Sequence, residues 1–452
     1  MSEGRAKNSQ GGHLDTLRAV ISPNVLAARA LKAAVAAARW SGLLPRSIPD
    51  GRGDERRLAR QPVKAQVIVY FADTVVGLYQ LRPWYKALRE LHRVHPLVII
   101  GNDSRAARAI RRESHLPAYT ISHYSSIDPI LSASPVRLAL YINHNAANFS
   151  LLAFTQLVHV SIMHGDSDKA VSVSGQTKAY DFTFVAGQAA IDRLAAYLPM
   201  FDASSRCRII GRPQVESSQA EQPVELGAVT ARWTVLYAPT WEGGTDSAAY
   251  SSLAAYGQRI VASLLSDDRF RVIYRPHPLT GTRRPAFAEA DAEVRRLVEA
   301  AAKADPAAGH RLSLGGDVAR VLSGADALIS DVSSLAIDFL VTGRPLTVTV
   351  PPDGQVRIAP TRLLELTPRL DESQAGSAAD LIAGLIEEDP AAADRAALTE
   401  YYLGDIRPGA AVKAFIEACG QMIELAEANR GQLERPGAGQ DRPTVSRFGA
   451  AE

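Results

Sequence analysis

Two doubly wound α/β domains in series, with a cleft between them, are what this sequence predicts. Three observations carry that reading. From Val63 onward, apolar runs of strand length alternate with segments of helical period. A polar stretch bearing Pro223, Ser217 to Gly227, interrupts the series midway, and a second series follows. Three polar motifs of that second series, PTWEGG, RPHP and SDVSS, each come directly after a predicted strand. Open parallel sheets bind ligands outside the carboxyl ends of their strands, so the three motifs should converge on one edge.

The chain of 452 residues suits two domains with terminal extensions. We divide it into a helical extension and linker (1–60), a first α/β domain (61–222), a second α/β domain (223–428) and a tail without apolar period (429–452). Leu14 to Trp40 is rich in alanine and leucine and reads as helix, either packed on the body or lying on a membrane surface. In the first domain, strands are expected at Val63–Phe71, Leu97–Ile100, Arg137–Ile142, Leu157–Met163, Tyr180–Val185 and Arg208–Ile210. In the second they are expected at Thr234–Tyr237, Phe270–Tyr274, Ala327–Ile329 and Leu346–Val350. Helices are expected at Phe287–Ala302 and from Ser377 through Ala428, with breaks.

Composition narrows the function. The apolar fraction of 46% supports a sizeable core, and the net charge of +2 gives no sign of nucleic acid. Cys207 and Cys419 lie far apart and outside any CxxC, which argues against a disulfide framework or structural zinc and fits a reducing cytoplasm. No apolar run reaches ~18 residues, so contact with a membrane would be peripheral.

The stretch Ala325 to Pro345 shows the chemistry most clearly. An apolar strand runs into Ser330-Asp331-Val332-Ser333-Ser334, and a helix begins there. Serine hydroxyls and unpaired N–H groups at a helix start suit phosphate oxygens, and an N-cap role suits Ser333 or Ser334 equally well. Arg275 and His277 stand at a neighbouring strand end, where they can meet charge on phosphate; Asp331 is an alternative partner for Arg275. His164, before Gly165 at the end of a first-domain strand, should face the cleft from the other side. An imidazole pKa near 6.5 suits it to accept a hydroxyl proton. His123, His144 and His159 read as structural histidines.

Leu236 to Trp241 (LYAPTW), Arg275 to Pro278 (RPHP) and Asp331 through Ser334 to Asp338-Phe339 together resemble the CDP-glycerol glycerophosphotransferase family, whose pattern is YAPTWR, RPHP and a DYSS turn with Asp-Phe four residues on. His164-Gly165 and Gly211-Arg212-Pro213 match it more thinly. The chain departs from the family at Glu242, in place of the arginine after PTW, and at Val332, in place of tyrosine. Its loop after His-Gly, Asp166-Ser167-Asp168-Lys169, is more acidic than the family's. The resemblance implies a GT-B-like fold of two Rossmann-like domains. It implies a transferase that moves glycerol phosphate, or a related polyol phosphate, from a CDP-polyol to a hydroxyl of a lipid-linked polymer and releases CMP. It assigns catalysis to His164 and His277, and donor binding to Thr240, Arg275, Asp331, Ser333, Ser334 and Asp338. No metal site is evident, and Mg²⁺, which keeps its waters, would need few protein ligands. A GT-B glycosyltransferase or nucleotide-sugar epimerase is the alternative; it would turn over UDP- or GDP-sugars without releasing CMP.

Overall fold

The computed structural model describes residues 53–433 apart from 122, 220–231, 244–249, 317 and 352–360, together with 33, 34 and 37. The expected helix Leu14–Trp40 and the expected domain boundary at 222 fall almost wholly outside the described residues.

Seven parallel strands form the first sheet: β1 (Val67–Phe71), β2 (Leu97–Gly101), β3 (Ala118–Thr120), β4 (Leu138–Tyr141), β5 (Val158–Ser161), β6 (Phe182–Val185) and β7 (Cys207–Ile209), in the order β3-β2-β1-β4-β5-β6-β7. Six more form the second: β8 (Trp233–Ala238), β9 (Phe270–Tyr274), β10 (Arg311–Leu312), β11 (Ala327–Ser330), β12 (Leu346–Thr349) and β13 (Arg369–Leu370), in the order β10-β9-β8-β11-β12-β13. In both sheets the order reverses beside the first strand, which is the switch-point topology of a doubly wound fold.

The apolar runs are short because both faces of each strand are covered. Along β1, Val67, Val69 and Phe71 enter one core cluster while Ile68 and Tyr70 enter another. In β8, Leu236 and Ala238 face one way, Val235 and Tyr237 the other. Alternate residues must point to opposite faces, so a strand buried on both sides reads as continuously apolar. Strands β3, β10 and β13 were not expected. They are only two or three residues long and sit at or near sheet edges, too short to show a period.

The helix Ala410–Leu433 departs from the expected division of the chain. It follows the second sheet in sequence yet packs on the first. Phe415, Cys419, Met422, Ile423 and Ala426 join the cluster of Val67, Leu138 and Val160. Their spacing is one apolar helix stripe. Phe415 lies 5.3 Å from Trp84, ring centre to ring centre. The tail expected from Asn429 therefore starts inside a helix that runs to Leu433. This return crossing ties the two sheets together. Both cysteines are buried and free.

Candidate active site

The carboxyl ends of β1, β5, β8, β9 and β11 converge. His164 follows β5, and Tyr79 lies on the short helix Leu78–Leu81 after β1. Thr240 and Trp241 follow β8, His277 follows β9, and Asp331 to Ser334 follow β11. His164 and His277 come from different sheets, yet both pack edge-on against the Tyr79 ring, with centroids 6.1 and 5.4 Å away. Trp241 stacks on His277 at 6.0 Å and 18°. The two histidines, expected to face a cleft from opposite sides, thus meet one common ring.

Both imidazoles are kept neutral. Burial lowers the pKa of His164 to about 4, the Arg212 charge adds to this, and a backbone hydrogen bond with Ile142 opposes it. Burial lowers that of His277 to about 3, helped by the charges of Lys169 and Arg275. The Leu279 N–H donates to His277 Nδ1 at 3.1 Å, so the neutral ring carries its proton on Nε2. His277 can then donate a hydrogen bond from Nε2, and Nδ1 of His164 is buried with no hydrogen-bond partner among the described residues.

Close approach of the two domains dictates a residue type. A Cβ on Gly165 would lie 2.9 Å from both Cβ and Oγ of Ser334, so the residue after His164 must be glycine. Next to it, Lys169 reaches across to the second domain. Its Nζ donates to Thr240 Oγ1 at 2.8 Å and lies 5.5 Å from the centre of the Tyr250 ring. Among the described residues it makes no ion pair. Burial lowers its pKa to about 8, with Asp331 pulling it back up. Sequence reasoning noted this lysine in its acidic loop and gave it no role.

Several expected donor contacts are otherwise engaged. Asp331 is 0% exposed and accepts from the N–H groups of Thr240 (2.6 Å) and Ser252 (3.0 Å) and from the Thr349 hydroxyl. It shapes the turn that presents Thr240. Asp338, expected at the donor, instead pairs with Arg212 across the domains, Nη2 to Oδ1 at 2.6 Å and Nε to Oδ1 at 2.8 Å, both residues buried. Arg275 donates to Ser313 Oγ at 2.7 Å and to the Gly315 carbonyl at 3.0 Å, bracing that loop. Its alternative partner was Asp331, whose carboxylate is filled by these other donors. Ser333 takes the capping role: its Oγ accepts from the Ala336 N–H at 3.3 Å and lies 3.1 Å from Ser330 Oγ.

Of the histidines read as structural, His159 and His123 are held by hydrogen bonds, and His144 packs on an aromatic ring. His159 meets the Tyr141 hydroxyl at 2.8 Å and the Phe154 carbonyl at 3.0 Å. His123 meets Glu55 at 2.8 Å. His144 stacks on Tyr180 at 6.0 Å. Asp168 and Asp166 both pair with Arg193, and the Tyr402 hydroxyl donates to Asp168 at 2.7 Å. Glu242, the departure from the family arginine, is 0% exposed. It accepts from the N–H groups of Gly281 (2.9 Å), Arg283 (2.8 Å) and Arg284 (3.3 Å). A buried carboxylate there holds the loop after RPHP by its backbone.

Residues 139–355, from β4 through β12, match the family described as CDP-glycerol:poly(glycerophosphate) glycerophosphotransferase. The chain carries this family's domain. It is accordingly a CDP-glycerol glycerophosphotransferase-like enzyme. Solved structures share the architecture. The wall teichoic acid polymerase TagF aligns with a TM-score of 0.53 at 12% identity, covering 88% of this chain and 97% of that one. A TagF variant soaked with CDPG aligns with a TM-score of 0.53 at 13% identity, covering 90% and 98%. A putative UDP-N-acetylglucosamine 2-epimerase from Listeria monocytogenes reaches 0.51 at 13%, covering 80% and 97%. At such identities the likeness is one of fold, the GT-B-like pair of α/β domains. None of the curated proteins compared with this chain matches it.

The two serines separate by experiment. Ser333→Ala should lower stability by ~1 kcal/mol, the usual cost of a lost cap, and leave donor affinity alone. Ser334→Ala removes a hydroxyl that faces Gly165 at the junction and should weaken binding of a CDP-polyol without moving the melting point. A melting curve beside a donor titration reads both. Unaltered affinity in the Ser334 variant takes that residue out of the site.

Proposed function

We propose that His164 and His277 work as a pair on opposite sides of one phosphoryl transfer. His164 takes the proton of the acceptor hydroxyl, whose oxygen attacks the phosphorus that carries glycerol. The P–O bond to CMP breaks, and CMP leaves with the electron pair. His277, with its proton on Nε2, donates a hydrogen bond to the donor phosphates, and Lys169 and Thr240 complete the donor side. The observation that carries this reading is the shared contact of both imidazoles with Tyr79. The family match supplies the reaction class. Pre-placed donors aimed at developing charge are the usual source of such catalysis. Incubating the purified chain with CDP-glycerol, other CDP-polyols and UDP-sugars, and identifying the nucleotide released, tests it. Release of UDP with no CMP would favour the glycosyltransferase or epimerase alternative.

The pH profile of kcat/KM, which reports the free enzyme, follows from these groups. The base must be deprotonated, and His164 loses its proton near pH 4, so no acid limb is expected between about pH 5 and 7. Lys169 must be charged to attract an anionic donor, and its charge is lost as pH rises through about 8. A basic limb should appear there. Lys169→Arg, whose guanidinium stays charged, should remove it. A limb that persists in that variant belongs to another group.

We place the acceptor on a lipid-linked polymer and the enzyme at a membrane surface. Among the described residues no helix is long and apolar enough to cross a membrane. Arg18, Arg29, Lys32 and Arg39 lie in the amino-terminal segment, and each basic residue near an anionic leaflet gains ~1 kcal/mol. Deleting residues 1–60 should lower flotation with anionic liposomes while turnover on a soluble acceptor persists. Equal flotation of both forms would clear the segment of this role.

A further inference from the structure

A cavity of about 50 Å³ lies in the first domain beside the His164-Gly165 turn. Gly165, Arg212, His144, Ser161 and Thr183 are among its walls. Ser161 and Thr183 are 0% and 4% exposed. Their hydroxyl oxygens, and Nδ1 of His144, have no hydrogen-bond partner among the described residues. A buried polar group left unpaired costs ~1–3 kcal/mol, so three around one cavity point to something polar that fills it. Two arginines also reach the wall, and both are matched by carboxylates: Arg212 by Asp338, and Arg193 by Asp166 and Asp168. Asp166 Oδ2 and Arg193 Nε, also on the wall, are likewise without a hydrogen-bond partner among the described residues. A free carboxylate oxygen beside two hydroxyls and an imidazole accepts from alcohol hydroxyls and repels phosphate. Phe184, Leu194 and Ile210 give the cavity an apolar side suited to C–H groups. At ~10–15 Å³ per water-sized sphere, the volume takes roughly three to five waters or the end of a short polyol. The cavity reaches His164 through its chain neighbours Met163 and Gly165, both on the wall.

We propose that this cavity is the acceptor subsite, binding the neutral, hydroxyl-bearing end of a polyol through Ser161, Thr183 and His144 so that one hydroxyl is left at His164. The proposal rests on the glycerophosphotransferase reading and adds to it the class of acceptor and the residues that select it. Thr183→Val keeps the side-chain shape and removes the hydroxyl; Ser161→Ala does the same with little volume change. The full chain is assayed for CMP release with CDP-glycerol and soluble acceptors ending in glycerol, with or without the hydroxyl adjacent to the reacting one. Each variant should raise the acceptor KM about three- to tenfold, the worth of one neutral hydrogen bond, and leave the CDP-glycerol KM unchanged. Thr183→Ser, which keeps a hydroxyl, should stay near wild type. The deoxy acceptor should show a smaller difference between wild type and variants. Unchanged acceptor KM in folded Thr183→Val and Ser161→Ala proteins would mean the cavity holds water alone and overturns the proposal. A rise in KM for donor and acceptor alike, or a Thr183→Ser protein as impaired as Thr183→Val, would show a packing role and overturn it too. If the wild type releases no CMP with any acceptor, the transferase reading itself fails, and the subsite falls with it.

Discussion

His164→Ala should lower kcat by about 10²–10⁴ while the affinity for CDP-glycerol stays nearly the same, the signature of a lost general base. Geometry gives the sign of both effects. His164 belongs to the first sheet, and the Thr240 turn and His277 belong to the second. A group on the acceptor side acts in the transition state and contributes little to holding the donor. His277→Ala is the contrast. On the proposed reading its Nε2–H meets the donor in the ground state and the transition state, so donor affinity and rate should fall together. Single-turnover kinetics beside donor titration separates the two patterns. Exchanged signatures would mean exchanged roles. Near-normal turnover in His164→Ala would make it a structural histidine. Asp166 and Asp168 are poor substitutes as base, because Arg193 binds both.

Arg212→Ala should cost ~3–5 kcal/mol of stability, the largest loss expected from one substitution in this molecule. The change strands the Asp338 carboxylate, which is buried and otherwise held by that guanidinium. Burial raises the Asp338 pKa and Arg212 opposes the rise, so removing Arg212 raises it further. A carboxyl whose folded pKa lies above its unfolded value takes up protons on folding. Its penalty is absent at low pH and grows as pH rises through the folded value. The deficit of the variant should therefore be greatest at neutral pH and shrink on acidification. Replacing both partners, Arg212→Met with Asp338→Leu, should recover most of the loss, because two apolar side chains leave no buried charge. Thermal unfolding across pH checks this. A single variant that melts like wild type would show that the pair contributes nothing.

The fold was legible because its cause is local. A strand buried on both faces reads as largely apolar, and β1, β2 and β4 announce themselves that way. The motifs could be placed at strand ends for the same reason, and strand ends in a parallel sheet share an edge. The edge strands β3 and β13 and the return of Ala410–Leu433 to the first sheet were not legible. Two or three residues carry no period, and an amphipathic stripe says that a helix is covered without saying by what.

The site divides along the same line. Residue types and their order determined that His164, His277 and the Thr240 turn would stand at facing sheet edges. Only the tertiary structure decided which of the polar residues there are free to act. Asp331 and Glu242 carry carboxylates at the motifs, but backbone N–H groups from distant loops fill them. Asp338 is claimed by Arg212, 126 positions away in sequence. Lys169, in a loop that looked acidic, reaches Thr240, 71 positions away, because Arg193 binds the two aspartates before it. A side chain's charge is written in the sequence. Its partner is set by which loops the packed sheets bring within hydrogen-bond reach, because only a contact of about 3 Å can offset the cost of burying that charge.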